Sequence, residues 1–149
     1  MTPLEFNCIN ESGVDIPSEP LRGCAETVIG TEFPQREAQV TILICGDDSM
    51  RKYNRQYRGD NAVTDVLCFN LEEGGTGTLG GLACDIIIDI NQLDRQRGNK
   101  TLETELIEVL THGLLHACGY DHIRPGDLVR MSAREFYYKQ LREGAQQRG

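Results

Sequence analysis

All three histidines of the chain fall within eleven residues, in the stretch HGLLHACGYDH that runs from His112 to His122. His112 and His116 are i and i+4, so on a helix they share one face with Cβ atoms about 6 Å apart. Gly119 can end that helix in a left-handed turn at little strain, and the returning chain can bring His122 to the same point. Three imidazoles converging on one point are a ligand set for zinc or a similar divalent ion. A metal with three protein ligands and an open fourth position is catalytic rather than structural in type. Cys118, only two residues from His116, lies about 200° round the helix and should point away from the metal. The spacing is that of the long zinc-protease signature H-E-x-x-H-x-x-G-x-x-H. Its general-base Glu is replaced by Gly113, which disfavours peptide hydrolysis.

The helix carrying this pair should be long. Thr101 is its expected cap, and Leu102, Leu106, Ile107, Val109, Leu110, Leu114 and Leu115 make it apolar on most sides. Thr104 and Glu108 continue the histidine stripe toward its start, so one polar stripe is expected to face a cleft. Gly113 costs about 1 kcal/mol against Ala inside a helix, which suggests that something packs close to it.

The rest of the chain reads as one domain over residues 1–149. Strands are expected over LEFNCI, QVTILIC, DVLCFN and LACDIII, where β-branched and apolar residues concentrate. Helices are expected over 18–33 with Ser18 as cap and Pro20 in the first turn, over DDSMRKYNRQYR, over NQLDRQR up to Gly98, and over roughly 126–142. Residues 71–81, LEEGGTGTLGG, read as a mobile loop between two strands. Interleaved helices and strands make the class α+β or mixed α/β, with helices around one mixed sheet of about four strands. The six cysteines form no C-x-x-C pair, and four sit in apolar runs. They read as reduced, buried residues.

The net charge of −8 argues against nucleic acid, yet RKYNRQYR at 51–58 holds four bases and no acid. Arg51, Arg55 and Arg58 lie on one helical face with Lys52 beside them. A solvated face is the plain reading. Arg58, however, stands at the mouth of a Gly-Asp-Asn turn leading into a strand, where its planar fork could meet a phosphate. Tyr53 or Tyr57 could stack a base, although a core position is the plainer reading. The start of the chain shows no basic region followed by an apolar run, and no 18-residue apolar run occurs. The expected location is cytoplasmic, with no membrane contact.

YNRQYRGDNAVTDVLCF, LACDIII and HGLLHACGYDH, in this order, resemble the YbeY family of bacterial endoribonucleases over roughly residues 38 to 122. The chain departs from the family's usual pattern at Asp60, Val63, Cys68 and Cys84. The resemblance implies one zinc per chain on His112, His116 and His122. It implies cleavage of single-stranded RNA, maturation of the small-subunit rRNA 3′ end, a role in ribosome quality control, and the small ribosomal subunit with its assembly proteins as partners. It also implies that Arg58 acts on the substrate backbone. On that reading Arg51, Lys52 and Arg55 guide the RNA. Asp65, Asp85, Glu108 and Asp121 are candidates for the acid–base group. A non-catalytic, zinc-stabilised ribosome-assembly module is the alternative. A peptidase with Met131 in a methionine turn is a third reading, against which Met131 falls in an expected helix.

Overall fold

The computed structural model describes residues 4–34, 37–70, 82–119 and 125–148. The chain runs β1 (Leu4–Asn10), α1 (Glu19–Glu32), β2 (Ala38–Cys45), α2 (Asp47–Arg58), β3 (Val66–Asn70), β4 (Leu82–Asp89), α3 (Ile90–Gln96), α4 (Leu102–Ala117) and α5 (Pro125–Arg148). The four strands form one mixed sheet in the order β1-β2-β4-β3. β1 and β4 both run parallel to β2, and β3 runs antiparallel to β4.

Alternation assigns the two faces of this sheet. Val40, Ile42, Ile44, Cys84, Ile86 and Ile88 point to the face covered by α1 and α4, and these residues make the main core with Leu21, Ile29, Leu106, Leu110 and Leu114. Cys45, Leu67 and Ile87 point to the other face and form a smaller core with Met50 of α2. β2 and β4, covered on both faces, read as nearly continuous apolar runs for this reason.

The helix ends follow local chemistry. Thr101 accepts a hydrogen bond from the Thr104 N–H at 3.1 Å and caps α4. Asp89 accepts from the Asn91 N–H at 3.0 Å and caps α3. Asp47 and Asp48 open α2, while Arg55 and Arg58 close it, matching the helix dipole. Ser18 differs from expectation. It precedes α1 with Pro20 in the first turn, but its hydroxyl makes no capping hydrogen bond; its backbone is already helical there, which turns the side chain from the first N–H groups. α5 runs six residues beyond Arg142, because Gly144 weakens a helix without ending it. It is clamped to α1 by Arg134 and Tyr138, which both bond the carboxylate of Glu32. All six cysteines are free thiols. Burial pushes Cys68, Cys84 and Cys118 up to about 12, so they stay protonated. Residues 71–81, expected as a loop, and Asp121 and His122 lie outside the described residues.

Asp89 is the one fully buried aspartate of the described core. Burial, and then the neighbouring Asp47 carboxylate, push it up to about 7. Arg95 instead holds Asp47 well below the usual carboxylate range through paired 2.8 Å bonds. Asp47 on α2, Arg95 on α3 and Cys45 on β2 are the titratable groups that bear on Asp89. A carboxyl raised in the folded state lends stability at low pH and loses it as pH rises through its folded value. The melting temperature should therefore fall by about 5 °C or more between pH 5 and 7.5 and level off above that. Asp89→Asn, which keeps the cap acceptor but cannot ionise, should remove that slope. A slope unchanged in the variant, read by thermal melts across this range, would refute the assignment.

Candidate active site

A cleft of about 460 Å³ opens beside the edge strand β3, lined among others by Arg58, Asp65, Cys68, Asn70, His112 and His116. Each segment reaches it for a local reason. α2 stops at Gly59, which adopts φ +70° and donates its N–H to the Arg55 carbonyl at 3.1 Å. The turn that follows is pinned twice. Asp60 accepts from the Ala62 N–H at 3.0 Å, and the buried Asn54 amide donates to the Ala62 carbonyl at 2.9 Å. Arg58 is thus brought round the sheet edge to the α4 face. Asp65 enters β3 with its carbonyl taken by the Asp89 N–H at 3.0 Å. Val66, Cys68 and Asn70 follow on the same strand face.

The opposite wall is α4. His112 and His116 are half-buried, with ring centroids 4.9 Å apart and planes inclined at 75°. Two imidazoles one turn apart on the same cleft wall fit a shared metal ion. His112 Nδ1 lies 3.5 Å from Oε2 of Glu135 on α5, and a carboxylate beside one ring nitrogen favours metal contact through the other. Gly119 has φ +103° and donates its N–H to the His116 carbonyl at 3.0 Å, so α4 ends in the left-handed turn the motif requires. Cys118 packs against the core and does not line the cleft.

Gly113 has a direct structural explanation. A Cβ there would stand 3.0 Å from Cys68 Sγ and 3.4 Å from Ile86 Cγ2. The missing side chain lets α4 lie flat on β3 and β4 between its two histidines. The polar stripe of α4 does not face a single cleft. Each i+4 step drifts about 40° round a helix, so Thr104 and Glu108 turn toward a separate cavity of about 600 Å³ between α1, α4 and α5. Glu108 is also engaged by Lys100 at 2.8 Å.

The basic residues of α2 divide. Arg58 lines the cleft, whereas Arg51, Lys52 and Arg55 stand exposed on the helix behind it, and Arg51 pairs with Asp48 at 3.0 Å. Tyr53 belongs to the smaller core and donates to Glu11. Tyr57 is exposed and packs its ring 5.0 Å from Phe69. Met131 is buried within α5, which removes a methionine turn. Asn70 and Glu135 were not singled out from sequence, and Cys68 only as a departure from the family's pattern. Alternation along β3 groups Cys68 and Asn70, but only the packed sheet shows that this side meets the histidines.

An imidazole pair facing a guanidinium across a polar cleft suits chemistry on an anionic substrate. Residues 7–141 match the family model described as Endoribonuclease YbeY, and the chain belongs to that family. Proteins named endoribonuclease YbeY include one from Renibacterium salmoninarum, 33% identical over 129 residues, a match spanning 82% of each chain. One from Thermotoga maritima is 34% identical over 123 residues, 82% of this chain and 75% of its own. One from Anaeromyxobacter sp. is 42% identical over 102 residues, 66% of this chain but about half (52%) of that relative's length. The solution structure of TM1509 from Thermotoga maritima aligns with a TM-score of 0.63 at 27% identity, over 89% of this chain and 85% of that one. The mixed α+β class and the four-stranded mixed sheet expected from sequence are those observed.

Gly113→Val should destabilise the fold by about 2 kcal/mol through overpacking against Cys68 and Ile86, despite valine's better helix propensity. Urea denaturation reads this directly. A variant as stable as the parent would show that α4 is not seated against the sheet at this point.

Proposed function

We propose that this protein is a zinc-dependent endoribonuclease that cuts single-stranded RNA. On this reading it matures the small-subunit rRNA 3′ end, serves ribosome quality control, and works on the small ribosomal subunit with its assembly proteins. The observation that carries the reading is the meeting of Arg58 with His112 and His116 in one cleft, from segments more than fifty residues apart. Family membership and the endoribonuclease names of the relatives support it. No helix among the described residues is long and apolar enough to cross a membrane.

His112, His116 and His122 would hold one zinc. Bound there, the ion would supply a Lewis acid that polarises a phosphoryl oxygen. Arg58 would place a planar pair of donors against the phosphate and stabilise the charge that grows on its oxygens. Arg51, Lys52 and Arg55 would draw the RNA backbone along α2 toward the cleft.

Zinc-loaded protein should cut a single-stranded RNA carrying a small-subunit rRNA 3′ end. Arg58→Ala, matched for metal content and fold, should be at least tenfold slower. Equal cutting by both would remove Arg58 from the chemistry. No cutting by zinc-loaded parent would favour the non-catalytic assembly module. Replacing Arg51, Lys52 and Arg55 together with Ala should weaken RNA binding and flatten the slope of log K against log salt by about 2, at roughly 0.7 per phosphate contact. Titrations at several salt concentrations test this, and an unaltered slope would leave those residues as a solvated face.

A further inference from the structure

We infer that Asp65 is the acid–base group of the cleft, the carboxylate that takes the proton from the attacking oxygen, and that Gln96 is its positioning residue. The inference rests on the nuclease reading above and deepens it.

The sequence offered four carboxylates for this role, and their places in the fold separate them. Asp85 lies opposite Phe69 in the β3–β4 ladder, on the sheet face that bears Ile87 and the smaller core. It is turned away from the histidines. Glu108 lines the other cavity and is bonded by Lys100. Asp121 lies outside the described residues. Glu135 approaches His112 but is not part of the cleft wall. Among the described residues, Asp65 is the carboxylate that lines the cleft with His112, His116 and Arg58.

Asp65 is also held in a way that suits the task. The Gln96 amide nitrogen donates to Asp65 Oδ2 at 3.1 Å and to Glu105 Oε2 at 2.7 Å. Its amide oxygen accepts from Gln92 Nε2 at 3.1 Å. Flipping this amide would set its oxygen against two carboxylates and its nitrogen against a donor, so one orientation is enforced. Glu105 is buried on α4 and ion-paired with Lys100. Asp65 Oδ2 is therefore tied through Gln96 to the helix that carries the histidine pair. Oδ1 makes no hydrogen bond among the described residues. One oxygen is anchored and the other is left to accept a proton, the geometry a general base needs.

The step balances without a further reactant. The attacking hydroxyl gives its proton to Asp65 as its oxygen bonds to phosphorus. The phosphorus–oxygen bond to the leaving ribose breaks, its electron pair stays on the leaving oxygen, and that oxygen takes a proton from solvent.

The test is single-turnover cleavage of single-stranded RNA at neutral pH by zinc-loaded parent, Asp65→Asn, Asp65→Ala and Gln96→Ala. RNA affinity is read by fluorescence anisotropy and zinc content is measured for each. Asp65→Asn should be at least a hundredfold slower, within the range of a lost general base. It should keep RNA affinity and zinc. Added formate should restore part of the Asp65→Ala rate. Gln96→Ala should be about tenfold slower at saturating RNA with RNA affinity and zinc unchanged, since misplacing a catalytic group lowers rate without removing it. A parent that cuts, with Asp65→Asn within threefold of it, overturns the inference and leaves the nuclease standing. A slow Asp65→Asn that has lost RNA affinity or zinc in proportion also overturns it, because the residue is then structural. A parent that does not cut overturns the nuclease reading, and the role of Asp65 goes with it.

Discussion

The close approach of α4 to the sheet at Gly113 governs the geometry of everything around the cleft. With no Cβ in the way, the helix lies directly on Cys68 of β3 and Ile86 of β4. His112 and His116 flank that contact, so their height above the strands is set by it. The Cys68 thiol is also directed to the Gly113 carbonyl at 3.6 Å. Arg58 and Asp65 flank the turn that feeds β3. A change in the seat of the helix would move the imidazoles relative to both.

Two anchors away from the cleft keep that seat. α5 is clamped to α1 through Glu32, Arg134 and Tyr138, and the same helix sets Glu135 beside His112. At the far end of β4, Asp89 caps α3 while leaning on Asp47, so α3 and its Gln96 are fixed to the strand that also pairs with β3. The polar residues of this small protein thus serve mainly to fix the relative positions of elements whose apolar faces alone would allow sliding.

Most of the element plan was legible in the sequence because period and caps agree. QVTILIC and LACDIII are too apolar and too β-branched for a surface, and Thr101 and Gly119 bracket α4. The histidine pair was legible because a helix fixes i and i+4 on one side. Ser18 misled, since a cap residue acts only when its backbone is extended. The stripe through Thr104 and Glu108 misled because four residues overshoot a full turn, and the drift divides it between two cavities. The choice among four carboxylates could not be read at all. It depends on which face of the sheet β4 turns toward α4, and alternation gives two faces without naming them. Glu135 and Gln96 were invisible for a similar reason, as their partners lie 23 and 31 residues away in sequence.

The strand order carries a consequence for how the protein comes into being. β4 is the inner partner of β3, yet it follows β3 in the chain, and α4 comes later still. The basic helix α2 is therefore synthesised well before the surface that would complete its cleft. Contacts of long sequence separation form late because loop closure must be achieved first. Arg58 and the imidazoles come together only after β4 has paired and α4 has docked on it. The cleft is thus a reporter of finished tertiary structure: a chain halted before α4 would carry the positive helix and none of the opposing wall.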